Sequence, residues 1–489
     1  MTEKNLKGKT ASGLWWGGIG SGVQQLISAF IGIFLARILT QEDYGLVEML
    51  SIFTAIASTT INSGFSVALT NKKDATQRDY DSIFWFMVFM SVLLYVVLFF
   101  CAPLIARFYD RPELVTLSRV LFLGFLFGGI GTVPYTYMLK KLIVKQRTII
   151  NIIALSISGI IGVFCALKGY AYWALVIPNV IYISLNGILH FFISPWRPTF
   201  HFSFEPLKEM LPFSIKIFIT NIFTQINGNF FSVILGKKYD AEQLGVYSQG
   251  NKWAVFGNSF IGGMFNSVAQ PVLVEVNEDK ERQKGVVRKL IRFGAFISFP
   301  FMLGIAFVGK EFIEIAIEER WLSSVPFLQL ACVWGSFSFL SALYVSVLYS
   351  HGKSDLYMYG TMIIGVLQLL VVISLHSLGI FPMFIALISM NFVGLLIWHF
   401  FVQKLIGLSF WSVCKDILPY LGITVFSFFI AWICTRGFNN IYLLFFGKIL
   451  ITIVVYIAIM KLSKSVIFEE SMDFITQYMK IKRNKNESK

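Results

Sequence analysis

The sequence predicts an all-α integral membrane protein of about fourteen transmembrane helices. Three observations carry that expectation. Hydrophobic residues fill 56% of the 489 positions and charged residues 14%, with a mean hydropathy of +0.70. So few charges cannot clothe a soluble globule of this size. Apolar runs of about 20 residues, each long enough to cross a bilayer, recur along the whole chain. Lys and Arg are distributed unevenly between alternate connections, as they are in membrane proteins of fixed orientation.

The runs lie at approximately 12–36, 44–69, 83–106, 117–139, 148–167, 171–194, 211–235, 244–273, 290–309, 323–350, 355–376, 380–403, 415–434 and 441–462. Hydrocarbon offers no water to a free backbone group, so each run is expected to be helical. Run 1 follows Lys4, Lys7 and Lys9, as a signal peptide would, but it is too long for an h-region and a related segment recurs mid-chain. It is read as a retained helix. The five cysteines lie in or beside apolar runs without paired spacing, which suits packing better than a disulfide or a metal. No two of the five histidines form a metal-ligand spacing. The glycine clusters "GGIGSG" and "GGIG" sit in apolar runs, where close helix packing explains them better than a phosphate loop. No cofactor, metal or catalytic set is expected.

The net charge of +14 suggests nucleic acid until the charges are placed. Residues within a few positions of a run end are counted with the adjoining connection. The side holding both tails and the even-numbered connections then carries 28 of the 41 Lys/Arg, and the other side 10. Lys216, Lys252 and Lys448 remain inside runs. This split places both termini in the cytoplasm, and it assigns the basic excess to orientation and anionic lipid, not nucleic acid.

Between runs 1 and 2 stands "LARILTQEDYGLVEML" (35–50), and 200 positions later "LGKKYDAEQLGVYSQG" (235–250). Arg37 matches Lys237, Glu42 matches Glu242 and Gly45 matches Gly245. Upstream, Ser21, Gln25 and Ser28 match Asn221, Gln225 and Gly228, each set on one helix face. Further matches drift to an offset of about 210 by "KGYAYWALV" and "LGIFPMFIAL". Six runs separate the copies, so both halves enter the membrane in the same direction. The expected architecture is two six-helix lobes, 1–200 and 201–410, in a parallel pseudo-twofold repeat. Two further helices (411–463) and a basic amphipathic tail (464–489) follow. Parallel repeats of this kind serve alternating access in many transporters. Locally, Thr40 with Asp43, and Asp240 with Gln243, suit helix caps.

Ionisable and polar residues deep in membrane helices are candidate functional positions. Lys216 lies in run 7, Lys252 in run 8 and Glu48 in run 2 as the one acid well inside a run. Each has a structural alternative: snorkelling for the lysines, and for Glu48 a rim position or pairing with Arg37. Run 7 also carries Thr220, Asn221, Thr224, Gln225, Asn227 and Asn229. Helix–helix hydrogen bonds and a wet cavity explain these equally well. The stretches 202–213 and 466–485 read as amphipathic surface helices.

The segments "ARILTQEDYGLVEML", "NSGFSVAL", "APLIARFY", "GYAYWALV", "WRPTFHFSFEPLKEMLPFS" and "LGVYS" resemble the polysaccharide transporter family. Its colanic-acid exporter and O-antigen flippase branch is the most similar, within the multidrug/oligosaccharidyl-lipid/polysaccharide superfamily. The resemblance spans most of residues 1–410. It implies a bacterial inner-membrane protein with two lobes around a central cavity, serving polysaccharide or lipopolysaccharide biosynthesis. The implied substrate is an oligosaccharide on undecaprenyl pyrophosphate, and the implied partners are that glycan, membrane lipids and glycan polymerase machinery. Substrate-translocation candidates are Lys216, Lys252, Glu48, Gln25, Arg37, Asn221, Gln225 and Asn229.

Two other functions compete with a flippase. An ion-coupled exporter of small amphiphiles would favour buried acids in the lobes, and a glycan polymerase or ligase would need a sizeable outer loop. The outer connections here are short. The orientation is testable in a background free of native cysteines. Cysteines placed at Glu42 and Gln243 should react with an impermeant thiol reagent added to intact cells, and cysteines in either tail should not. Labelling of a tail would reverse the assignment.

Overall fold

In a computed structural model, described for residues 3–62, 64–72, 74–276 and 278–470, the chain folds into helices joined by short connections. Twelve helical stretches among the described residues are long and apolar enough to span a bilayer. Contacts divide the chain into two compact units, residues 1–248 and 249–489.

The first unit begins with α1 (Glu3–Ile38). Run 2 is not one helix. It is split into α2 (Gln41–Glu48), α3 (Ser51–Asn62) and α4 (Phe65–Asn71). The first break is a turn at Met49–Leu50, where the Leu50 amide bonds the Val47 carbonyl at 3.1 Å. The second is at Gly64, whose φ of +41° and close approach to the Ser214 carbonyl exclude a side chain. The long helices α5 (Gln77–Tyr109), α6 (Leu114–Lys140), α7 (Val144–Leu167) and α8 (Trp173–Ile193) follow. Next comes α9 (Phe204–Lys238). The stretch 202–213 is thus not a separate surface helix. It forms the first turns of α9, with Leu207 and Met210 packed against Leu69, Ile83, Phe84 and Trp196. Apolar burial outweighs the two acids on the helix's other side, and Ser203 caps the start. Nearby, Lys72 binds Glu209 at 2.6 Å and Asp79 at 3.1 Å. The Glu209 carboxylate raises the Lys72 pKa above its ordinary value; burial opposes it, and Asp79 adds to the rise.

Helix α10 (Ala241–Glu275) starts in the first unit and continues into the second. With 35 residues each, α9 and α10 are about 52 Å long. They hold runs 7 and 8 but are not among the twelve apolar stretches, because their polar residues dilute the hydropathy. Both expected caps form. Thr40 and Asp43 exchange side-chain and backbone bonds at 3.2 and 2.9 Å, and the Gln243 amide bonds Asp240 at 2.8 Å.

Just after these caps, α2 and the start of α10 cross with no side chain between them. A Cβ on Gly45 would stand 1.7 Å from the Ala241 carbonyl oxygen, and one on Gly245 would stand 1.9 Å from that of Gln41. The contact is reciprocal: Gly45 abuts Ala241, Gly245 abuts Gln41, and an offset of 200 exchanges the two pairs.

The second unit continues with α11 (Lys280–Ser298), a π-turn at Phe299–Leu303 and α12 (Gly304–Phe307). Pro300 lacks an amide hydrogen, and the wider turn absorbs the lost bond. The remaining helices are α13 (Gly309–Ile317), α14 (Val325–Ser350), α15 (Ser354–Ser374), α16 (Ile380–Ile406), α17 (Phe410–Thr435) and α18 (Ile441–Leu462). Helix α14 is central, burying Phe339, Leu343 and Tyr344. Residues 466–470 are helical, and Glu470 pairs with Lys289 at 2.7 Å. The rest of the expected amphipathic tail, 471–489, lies outside the described residues.

Two charged pairs hold α17 and α18. Arg288 donates two bonds to Asp416, at 2.7 and 3.0 Å, and Lys448 donates to Glu311 at 2.6 Å. Run 14 therefore tolerates Lys448 because a carboxylate from the adjoining helix α13 reaches it.

Substituting Gly45 or Gly245 by alanine should destabilise the detergent-purified protein by about 1–3 kcal/mol or more, because backbone atoms would have to separate. The melting temperature should fall in both variants. Gly285→Ala, where a Cβ meets nothing within 4 Å, should be neutral or slightly stabilising. Equal melting temperatures for all three would refute the crossing.

Candidate functional site

Glu48 is the last residue of α2, immediately before the turn that breaks run 2. A continuous helix would point this carboxylate along one face. The break and the glycine crossing instead bring it to two serines. Ser232 of α9 donates to one carboxylate oxygen at 2.8 Å, and Ser248 of α10 donates to the other at 2.9 Å. Ser248 is itself 200 positions from Glu48. Bonds to a carboxylate are stronger than neutral ones, so three helices are joined here by more than packing.

The rim beside this cluster carries two more cross-links. Arg111 pairs with Glu42 at 2.9 Å, and Lys237 with Asp110 at 2.8 Å. Both are partly exposed and each contributes at most about 1 kcal/mol. Arg37, in the last turn of α1, is exposed. Gln25 is half-buried on α1, about 18 Å earlier along the helix.

The other candidates of the first unit lie along α9. Lys216 is exposed, and Asn221, Gln225 and Asn229 are half-buried. Several polar side chains turn back on their own helix. Thr220 and Thr224 donate to the carbonyls four residues earlier, both at 2.9 Å, and Asn229 donates to the Gln225 carbonyl at 2.8 Å. These bonds satisfy the groups without a partner helix and leave further lone pairs for a ligand. Lys216 precedes Ser232 by sixteen residues, so it stands about 24 Å along α9 from the Glu48 cluster. The structure therefore does not join Lys216 to Glu48.

In the second unit, Lys252 is exposed on α10, its ammonium 5.9 Å from the Trp253 ring centre. Acids other than Glu48 also prove to be buried in or beside spanning helices. Asp416 and Glu311 are 5% and 6% exposed, each bound to a cation. They escaped a sequence reading because Asp416 lies at a run end and Glu311 in a connection. Ser232 and Ser248 escaped it because isolated serines are common in membrane helices, and only the crossing aims them at a carboxylate.

The chain matches proteins of known families along most of its length. A family model described as polysaccharide biosynthesis protein matches residues 34–326. The teichuronic acid biosynthesis protein TuaB of Bacillus subtilis is 27% identical over 429 residues, covering 85% of this chain and 88% of its own. The lipopolysaccharide biosynthesis protein WzxC of Escherichia coli is 24% identical over 338 residues, 68% of each chain. Among solved structures, the lipid II flippase MurJ in an inward closed conformation superposes with a TM-score of 0.76 at 16% identity, covering 93% of this chain and 99% of its own. A MATE multidrug transporter of the MOP superfamily, inward-facing, gives 0.64 at 14% identity, covering 80% and 96%. These structures share the fold, and the family model spans more than half of the sequence. The chain belongs to the polysaccharide biosynthesis protein family.

Proposed function

We propose that this protein is not an enzyme but a flippase that carries a lipid-linked oligosaccharide, on a carrier such as undecaprenyl pyrophosphate, across the bacterial inner membrane. Family membership supports this reading, as do relatives named for glycan biosynthesis. The observation that carries it is the polar face of α9. An ionised or heavily hydroxylated headgroup cannot cross hydrocarbon unaided. A helix 35 residues long that presents Asn221, Gln225 and Asn229 on one face offers such a headgroup donors and acceptors, and Lys216, on another face nearer its start, adds a cation. Fixed cations act more strongly on phosphates in a poorly screened site than in bulk water, and in this reading Lys216 and Lys252 supply them. Gln25 and Arg37 extend the polar route along α1.

The two-lobed repeat (1–200 and 201–410), the extra helices at 411–463, the cytoplasmic placement of both tails and an alternating-access cycle belong to the same proposal. The reciprocal contact of Gly45 and Gly245 supports the repeat. In this mechanism the Glu48–Ser232–Ser248 cluster latches the broken α2 to α9 and α10 in one state of the cycle. A glycan polymerase is the natural consumer of the flipped unit. Export of small amphiphiles has less support, since the buried acids Asp416 and Glu311 are committed to cations.

Replacing Lys216 and Lys252 by alanine, glutamate and arginine tests the cation role. Surface glycan, measured at matched expression, should fall most with glutamate and least with arginine. Full export by both single glutamate variants and by their double variant would remove these lysines from the mechanism. For the latch, Glu48→Gln keeps acceptors for one serine and should retain part of the export. Glu48→Leu leaves both serines unbonded and should cost about 1–3 kcal/mol of stability in addition to export. Wild-type melting and export by Glu48→Leu would dismiss the latch.

A further inference from the structure

Within the first unit, a cavity of about 370 Å³ opens among α3, α6, α7 and α8, and no residue assigned a role above lines it. Its polar lining is Ser58, Thr132, Tyr135, Asn151, Tyr182 and Asn186. This is the scale of a small-ligand pocket, ~300–1,000 Å³. Polar side chains of this number, on four membrane helices, are not explained by packing alone.

The groups are built into place. Asn186 donates to the Asn151 side-chain oxygen at 2.7 Å. Whichever way the two amides are turned, one NH₂ group and one carbonyl oxygen remain for a ligand. Behind them, a His190 ring nitrogen lies 2.8 Å from the Asn186 carbonyl, and the His190 ring packs edge-on against Tyr135, centres 5.3 Å apart. Arg147 holds Tyr135 from the other side, its guanidinium 4.2 Å from the ring centre and hydrogen-bonded to the phenol. The Arg147 Nε is buried and makes no hydrogen bond.

The lining selects among ligand classes. It contains no carboxylate, and a guanidinium stands beside it. A hard cation, which takes several oxygen ligands and usually a carboxylate, is poorly served. An apolar drug would leave the amides and the hydroxyls unbonded, which is costly. A pyranose fits: its hydroxyls both donate and accept, and its apolar ring face suits the flat side of a tyrosine.

We propose that this cavity binds one sugar unit of a glycan, with Asn151, Asn186 and Thr132 on its hydroxyls. Arg147, whose guanidinium stands on the lining residue Tyr135, favours a sugar bearing a carboxylate over its neutral counterpart by its charge. Assigning that sugar to the transported headgroup rests on the flippase reading above.

Saturation-transfer NMR on the full-length protein in detergent micelles tests the pocket directly, with methyl glucoside and methyl glucuronide as probes. Both should bind the wild type, the glucuronide more tightly. The double variant Asn151→Leu/Asn186→Leu removes both amides together and leaves no orphan group, and it should bind both probes about tenfold more weakly. Thr132→Val, a near-isosteric change, serves if the double variant does not fold, and it should weaken both probes. Arg147→Gln should abolish the preference for glucuronide and spare the glucoside. No signal from the wild type, or undiminished binding by the double variant and by Thr132→Val, overturns the pocket. A parallel assay, movement of a fluorescent lipid-linked glycan by wild-type proteoliposomes, separates the two claims. Transport without sugar binding overturns the pocket and spares the flippase. Sugar binding without transport overturns the flippase and leaves the cavity a sugar site.

Discussion

A peptide group surrounded by hydrocarbon has no water to bond, and leaving it unbonded costs several kcal/mol. Most of this architecture answers that constraint. Long runs close their backbone bonds within single helices. Where a helix is interrupted, the chain supplies protein in place of lipid. The Met49–Leu50 turn is buried and restores a tighter bond, and the Gly64 bend is packed against the Ser214 carbonyl. At Pro300 the helix widens instead of breaking.

The same constraint governs charge. A lone ion in the interior is prohibitive, but a pair or a well-bonded group is tolerable. Lys448 with Glu311, and Asp416 with Arg288, meet this rule. Each pair also links an added C-terminal helix to an earlier one, α18 to α13 and α17 to α11. Removing Glu311 leaves the buried Lys448 without its carboxylate, typically at about 3–5 kcal/mol, whereas Asp416 without Arg288 keeps Arg292 at 3.8 Å. Glu48 adds a hydrogen-bonding route to the same end, its two carboxylate oxygens each accepting from a serine hydroxyl.

The glycine crossing and the Glu48 cluster lie within one turn of each other and use residues that correspond at an offset of 200. Backbone approach at Gly45 and Gly245 sets the helices close enough for the short serine side chains to reach the carboxylate. A larger residue at either glycine would move Ser248 out of bonding range. The sugar-sized cavity among α3, α6, α7 and α8 is built differently. Its amides hang on the unbroken helices α7 and α8, and neutral groups replace ions in its lining.

The sequence by itself determined the all-helical membrane class, the positions of the runs, the caps at Thr40 and Asp240, and the repeated turn. These follow from local composition and spacing, and the same physics acts wherever the pattern occurs. It also singled out the polar residues of run 7, because polarity within an apolar run is visible one residue at a time. Only the tertiary structure decided that run 2 breaks into three, that residues 202–213 join α9, and that Glu48 meets Ser232 and Ser248. Partners 184 and 200 residues away are matters of which helices cross, and no local pattern encodes a crossing. Lys448 and Glu311 make the same point. Lys448 stood alone inside run 14 and Glu311 lay among the charges of a connection, and their pairing exists only where α18 and α13 come together.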